Sequence, residues 1–351
     1  MQSGVDEGVF PGAVLLVAGA DRVLLHDAWG VADLETHRPV TTDTVFDLAS
    51  LTKPLATALV TMRLVQAGDL TLETPLGRVL PETLESDKEP VTIRQLLSHC
   101  SGWPAWQPYF EVLRGYPAEA RRERLKALLA AEPLTATPGF TWLYSDLDYL
   151  ALGLLLEAVS GLRLDRLAHR EIYAPLGIQD LFFNPLDEAP AQRDYAATER
   201  RPWRGGQLCA VHDDNAYVLN GVAGHAGLFG TAGGVWTLLR ILSKACGDPR
   251  GSHWLASPWV ETMWTRANGS GWTLGFDTPS PRGSSSGRHF SPNSVGHLGF
   301  TGTSFWLDLD RRLAVVLLTN RVHPSRSNIR IRQFRPRIHD EIMEWLLQCD
   351  F

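Results

Sequence analysis

The stretch "FDLASLTKPLATALV", residues 46–60, contains Ser50-Leu51-Thr52-Lys53, an S-x-x-K spacing. If Ser50 opens a helix, Lys53 lies three positions on, on the same face. The ammonium and the positive end of the helix then both favour negative charge developing at Ser50. A neighbouring cation or base also lowers the barrier to removing the serine proton. That is the chemistry of a nucleophilic serine. A chain of this length holds roughly one S-x-x-K by chance. Taken alone, the tetrapeptide favours a capping serine followed by a solvated lysine.

Two later stretches could complete the chemistry. In "TPGFTWLYSDLDYLALG", residues 137–153, Tyr144-Ser145-Asp146 stands just before a helical pattern. A tyrosine whose pKa is lowered by an adjacent lysine could take and return a proton. Alone, it equally fits a core aromatic with a bonded hydroxyl. In "VGHLGFTGTSFWLDLD", His297 and Gly299 open a strand. Gly299 and Gly302 would let a substrate approach the backbone closely. A strand edge there could pair with an extended substrate and donate an N–H to an oxyanion. The plainer reading is a Gly-rich strand start with a surface histidine.

These residues need elements to hold them. "AVLLVAGADRVLLHDAWGVAD" has two apolar runs around Gly-Ala-Asp-Arg, a hairpin pattern. Helical text begins after Ser50, with Pro54 in its first turn and Gly68 as the C′ residue. Thr92 and Gln95 stand at capping-box spacing. Helices are expected over 118–131, 147–160 and 163–174, and "RRERLK" (121–126) reads as a solvated helix face. The end of the chain reads as two strands around an Asp-Arg-Arg turn, then an amphipathic helix over 337–348. Residues 277–293, rich in Gly, Ser and Pro, read as a surface loop. Strands at both ends with helices between them predict an α+β fold. An antiparallel sheet built from both chain ends would be flanked by helices, with a mostly helical region inserted. The expected division is 1–60 with 290–351 as the sheet region and 61–289 as the helical region, the site lying between them.

Composition narrows the function. The 351 residues are 44% hydrophobic and 21% charged, enough for an ample core. A net charge of -6 gives no reason to expect nucleic acid or an anionic membrane as partner. Cys100, Cys209, Cys246 and Cys349 form no C-x-x-C pair, and reduced thiols are the simplest reading. "MQSGVDEGVFPG" lacks a basic start and an apolar h-region, and no apolar run approaches the roughly 18 residues of a membrane span. A soluble cytoplasmic protein is therefore expected. His212-Asp213-Asp214 has no spaced partners for a metal and reads as a turn.

Taken together, the three stretches resemble the serine β-lactamase and penicillin-binding-protein family, in its class C-like branch of esterases, D-amino-acid peptidases and muropeptide hydrolases. That family has S-x-x-K, then Y-x-N or Y-S-D, then K/H-x-G, in that order. In this chain they stand as Ser50–Lys53, Tyr144–Asp146 and His297–Gly299. "IRQLLSHCSGWP", "YAPLGIQDLFF", "GVAGHAGLFGTAGGV" and "VVLLTNRVHP" also resemble phrases of that branch, so the likeness runs over nearly the whole chain.

The resemblance implies Ser50 as the acylated nucleophile, Lys53 assisting its deprotonation, and Tyr144 as general base and acid. The backbone N–H groups of Ser50 and Phe300 would form the oxyanion hole. His297 and Gly299 would sit on the strand beside the substrate. No metal or organic cofactor is required. The expected substrates are small esters, amides or peptides. The alternatives are a peptidoglycan-fragment hydrolase (a D,D-carboxypeptidase or a muramyl-peptide amidase), a weak β-lactamase, and a catalytically silent penicillin-recognising domain. Three positions depart from the pattern. Asp146 stands where many relatives have Asn and would hold Lys53 protonated. His297 replaces Lys, which argues against efficient β-lactamase activity. Cys100 stands where Thr is usual, a packing change. His225 lies among small residues near the expected cleft, as a substrate contact or a structural histidine. Trp103, Trp106, Tyr109 and Phe110 fit either the pocket rim or a satellite core, with the rim the preferred reading.

Overall fold

The computed structural model describes residues 1–83, 86–204, 209–247, 254–266 and 270–348. Cys349 and residues 205–208 of the loop around the His-Asp-Asp stretch lie outside the described residues. The strands are β1 (Gly12–Ala18), β2 (Val23–Asp33), β3 (Arg38–Pro39), β4 (Phe46–Asp47), β5 (Leu181–Phe183), β6 (Leu228–Gly230), β7 (Ser294–Leu298), β8 (Ser304–Asp308) and β9 (Leu313–Thr319). Six of them make one antiparallel sheet in the order β3-β2-β1-β9-β8-β7. The Gly-Ala-Asp-Arg turn joins β1 to β2 as the hairpin pattern predicts.

The two ends of the chain meet at the centre of this sheet. Residues Ala13–Ala18 of β1 pair antiparallel with Ala314–Thr319 of β9. Every side chain of both strands is buried, because both faces of the sheet are covered. Val14, Leu16, Val316 and Leu318 face the large core beneath the helices. Leu15, Val17, Val315 and Leu317 face a smaller core under the helix Ile331–Gln348. This is why the sequence shows unbroken apolar runs at these strands instead of alternation.

The terminal helix starts six residues earlier than the expected 337. Pro336 suggests a helix start, yet it lies inside Ile331–Gln348. Burial of Ile331 and Phe334 against the sheet outweighs the local preference. The last strands also number three, since β7 precedes the expected pair. Residues 277–293 are more than a surface loop. Asp277 bridges to Gly296 of β7, and Phe290 is buried in the smaller core.

The helices that carry the motifs begin where their caps predict. Thr92 and Gln95 form a capping box. Ser145 caps the helix Asp146–Ser160, accepting the N–H groups of Leu147 and Asp148. The helical stretch after Ser50 has three parts: a tight turn Ala49–Leu51, a wide turn Lys53–Thr57, and the helix Ala58–Ala67. Wide turns of this kind often mark functional sites. A small sheet in the order β4-β6-β5 ties the segment before Ser50 to the segment after His225, with Phe46 opposite Gly230 and Asp47 opposite Phe229. No helix of the described residues is long and apolar enough to cross a membrane.

The central pairing carries a stability prediction. Leu16→Ala empties a fully packed position, and a loss of about 2–5 kcal/mol is expected by chemical denaturation. A loss under about 1 kcal/mol would show that the two chain ends do not share a tightly packed core.

Candidate active site

Lys53 is the centre of the cluster. Its side chain is 0% exposed. Its Nζ donates to Ser50 Oγ at 3.0 Å, to Asp146 Oδ1 at 2.8 Å and to the His225 carbonyl at 3.4 Å. Nζ also lies 4.7 Å from the centre of the Tyr144 ring. The Tyr144 hydroxyl is electrostatically coupled to Lys53 and Ser50. Three segments far apart in sequence therefore converge on one ammonium.

The charges follow from this geometry. Burial opposes a charge on Lys53, but Asp146 and Tyr144 outweigh it and hold the ammonium above its ordinary range. The expectation that Lys53 depresses the tyrosine pKa is corrected. Burial raises the Tyr144 phenol, and the attraction of Lys53 offsets this only in part. The resting cluster thus holds an ammonium and a neutral phenol.

The backbone around Ser50 is under strain. Ala49, immediately before it, has φ 48°, a left-handed conformation that costs about 1–3 kcal/mol outside glycine. Buried Asp47 holds it there, accepting the Ala49 N–H at 2.8 Å and the His212 N–H at 2.6 Å. The turn after β7 grips the same segment. Thr301 Oγ1 donates to the Asp47 carbonyl at 2.7 Å, and Thr303 Oγ1 donates to the Leu48 carbonyl at 3.1 Å. Gly299 is required by this close approach. A Cβ there would lie 2.0 Å from Thr303 Oγ1 and 2.7 Å from the Leu48 carbonyl.

The Tyr144 segment is held by the turn His99–Gly102. The Leu143 N–H reaches the His99 carbonyl at 2.9 Å, and the Ser145 N–H reaches His99 Nδ1 at 3.1 Å. The His99 ring packs on Tyr144 with centroids 4.6 Å apart. Asp146 N–H donates to the Ala105 carbonyl at 2.8 Å.

His225 has the structural partner that one of its two readings requires, since its Nε2 bonds Asp213 at 2.8 Å, and it also lies at the cleft. Its loop packs closely on the helix Asp146–Ser160, where a Cβ on Gly224 would meet the Tyr149 carbonyl at 1.9 Å. Asp213 also caps the helix Asp214–Val218. Arg121 and Arg122, expected as part of a solvated face, reach the carbonyls of Val218, Leu219 and Val222 and brace this loop.

Ser50, Tyr144, Asp146, His225, His297 and Gly299 all line one cleft of about 690 Å³. Phe300 lines it too, 51% exposed. His297 is buried, not a surface histidine. Burial lowers its pKa to about 3, with help from Lys53, so it carries no charge. Of the four expected rim aromatics only Trp106 lines the cleft. Trp103 and Tyr109 are core, and Phe110 stacks on Trp203. The sequence reading missed Trp272, Asp277 and a wall of arginines from the end of the chain. Arg335 donates to the Gly299 and Thr303 carbonyls at 3.0 and 2.7 Å. Arg321 donates to the Phe300 carbonyl at 2.8 Å. No local period marks these residues; only the terminal helix packing on the sheet brings Arg335 to the cleft.

Comparison with known proteins agrees with this geometry. The family model described as "Beta-lactamase" matches residues 1–336. The chain belongs to the β-lactamase family. A relative from Escherichia coli (strain K12), named "Putative D-alanyl-D-alanine carboxypeptidase", is 31% identical over 91% of this chain and 80% of its own. One of the same name from Salmonella agona is 30% identical over 94% of this chain and 83% of its own. Among solved structures, "EstCE1, a hydrolase with promiscuous acyltransferase activity" is 25% identical, with a TM-score of 0.72 over 95% of this chain and 96% of its own. A class C β-lactamase from Rhodobacter sphaeroides, 20% identical, shares the fold with a TM-score of 0.69 over 96% and 97%. The chain is thus a serine hydrolase of the β-lactamase family with the α+β fold expected of it.

The glycine contact gives a direct check on this family site. Gly299→Ala is expected to lower ester turnover by about 10-fold or more, because the Ser50 segment must shift by a fraction of an ångström. Full turnover with an unchanged melting temperature would show that the β7 turn does not set the position of Ser50.

Proposed function

We propose that this β-lactamase-family hydrolase cleaves small esters or amides through an acyl-enzyme on Ser50. The observation that carries the reading is the contact of Ser50 Oγ with Lys53 Nζ at 3.0 Å, in a cluster that includes Tyr144 and opens on the cleft. Lys53 donates to the serine oxygen, which leaves the serine proton free to point at Tyr144. As Ser50 Oγ attacks the carbonyl, its proton passes to Tyr144 Oη. The phenolic proton passes to the leaving oxygen or nitrogen, whose bond to the acyl carbon breaks. Water then repeats the relay in reverse and releases the acid. No free base is needed at any point. The Lys53 ammonium acts as a fixed charge that stabilises anionic character on both oxygens. The N–H groups of Ser50 and Phe300 are the proposed oxyanion donors.

One observation favours a second reading, hydrolysis of D-alanyl peptides, which the names of the relatives suggest. Neutral His297 offers no cation for a peptide carboxylate. Arg332 lines the cleft with no carboxylate partner among the described residues, so a charge suited to that group is available elsewhere.

The nucleophile is tested by p-nitrophenyl acetate turnover and by mass spectrometry after exposure to a fluorophosphonate. Ser50→Ala is expected to lose at least about 1,000-fold in kcat/KM and all labelling. Retained turnover, or an adduct on another residue, would refute the assignment.

A further inference from the structure

Tyr144 is fixed from behind by one residue. The N–H groups on either side of it, those of Leu143 and Ser145, both end on His99. The first reaches its carbonyl at 2.9 Å and the second reaches Nδ1 of its ring at 3.1 Å. Between these two bonds the Tyr144 ring packs on the imidazole, with centroids 4.6 Å apart. His99 itself is 2% exposed and does not line the cleft. Its φ of 58° is a left-handed conformation uncommon outside glycine, and strain of this kind gathers at functional sites. Here it lets one residue reach the same segment with both its carbonyl and its ring.

The ring holds Ser145 only while Nδ1 keeps its lone pair. Burial, and then the charge of Lys53, keep the His99 imidazole well below its ordinary range, so the ring is neutral with its proton on Nε2. Asp148 is the group that could change this. It is fully buried, and its Oδ2 lies 3.4 Å from His99 Nδ1. A carboxylate there would draw a second proton onto the ring. Burial pushes the Asp148 carboxyl well above its ordinary range, so it stands as a neutral acid. Ser101 sets where the acid proton sits. Its Oγ accepts the Trp103 N–H at 3.1 Å and donates to Asp148 Oδ1. The proton is left to Oδ2, which has no hydrogen-bond partner among the described residues. Two buried groups that could exchange a proton are therefore both uncharged.

We propose that His99 is a positioning residue for the proton transfers of Tyr144. Its Nδ1 accepts the Ser145 N–H and so aligns the phenol with Ser50 and Lys53, while a neutral Asp148 keeps that acceptor free of a second proton. His99 has no surface in the cleft and acts only through Tyr144. This rests on the serine-hydrolase reading above and adds a residue to its machinery.

Asparagine and glycine both suit a left-handed backbone and both remove the ring, but only asparagine keeps an acceptor near the place of Nδ1. His99→Asn and His99→Gly are compared with wild type on p-nitrophenyl acetate and on ethyl acetate, whose leaving oxygen depends far more on a donated proton. The readout is the ratio of kcat/KM for the p-nitrophenyl ester to that for the ethyl ester. His99→Gly is expected to raise it by about 10-fold or more, and His99→Asn and Asp148→Asn to keep it within about 3-fold of wild type. Added to Tyr144→Phe, His99→Gly is expected to cost less than about 2-fold further with p-nitrophenyl acetate. Nitrogen-15 NMR of the wild type, assigned by the signal lost in His99→Asn, is expected to show a neutral ring with an unprotonated Nδ1 from about pH 5 to about pH 8. If His99→Gly does not fold, this signal and the His99→Asn ratio decide. An unchanged ratio in His99→Gly, an equal disturbance in His99→Asn, a shifted ratio in Asp148→Asn, an additive loss in Tyr144→Phe or a proton on Nδ1 overturns the proposal while leaving ester hydrolysis at Ser50 in place. Absence of p-nitrophenyl acetate hydrolysis together with no Ser50 adduct overturns both.

Discussion

The structure depends on a charge placed where water does not reach. An isolated ammonium in a protein interior is strongly unfavourable. Lys53 is tolerated because four groups surround it: Ser50 Oγ, the Asp146 carboxylate, the His225 carbonyl and the Tyr144 hydroxyl. They come from three segments far apart in the chain, so the fold must bring those segments together to satisfy one atom. Asp146 is the decisive partner. Its carboxylate lies 2.8 Å from Nζ and favours the ammonium form, and in the proposed mechanism this leaves proton transfer to Tyr144.

The elements around this charge act as clamps. The strained Ala49 is held by Asp47, and Asp47 is held by the small sheet and by the turn after β7. Gly299 lets that turn lie against the Ser50 segment. Arg335, from the terminal helix, grips the same turn from behind. Its burial lowers its pKa to about 9, a cost consistent with a positioning duty in place of a solvated surface role. The central sheet therefore does two jobs: β1 and β9 anchor the molecule, and β7 presents its edge to the cleft.

The parts legible in the sequence were those set by local pattern. Unbroken apolar runs marked β1 and β9, caps marked the helices, and the three ordered motifs marked Ser50, Lys53 and Tyr144. What escaped was set by packing over long separations. Lys53 and Asp146 lie 93 residues apart, and Lys53 and His225 lie 172 apart. Nothing near Asp277, Trp272 or Arg335 in the sequence announces that they share a cleft with Ser50. The aromatic phrase around Trp103 misled for the opposite reason. Its composition suits a rim, yet the turn that braces Tyr144 carries Trp103 inward, and only Trp106 remains at the cleft. The expected direction of the Tyr144 shift also failed, because adjacency to a cation is readable from motifs and depth of burial is not.

The most direct test is the charge of Lys53 itself. The chain has four lysines, so its side-chain signal can be assigned by carbon-13 NMR through its loss in Lys53→Met. Both Lys53 and Tyr144 are raised above their ordinary values, so the protonated forms persist upward in pH and are lost only in the alkaline range. The predicted result is an ammonium signal that does not titrate between about pH 6 and about pH 10. A midpoint near about pH 7 to 8 would mean a neutral lysine poised as the base, and would contradict the roles of Asp146 as the fixed counter-charge and Tyr144 as the proton carrier.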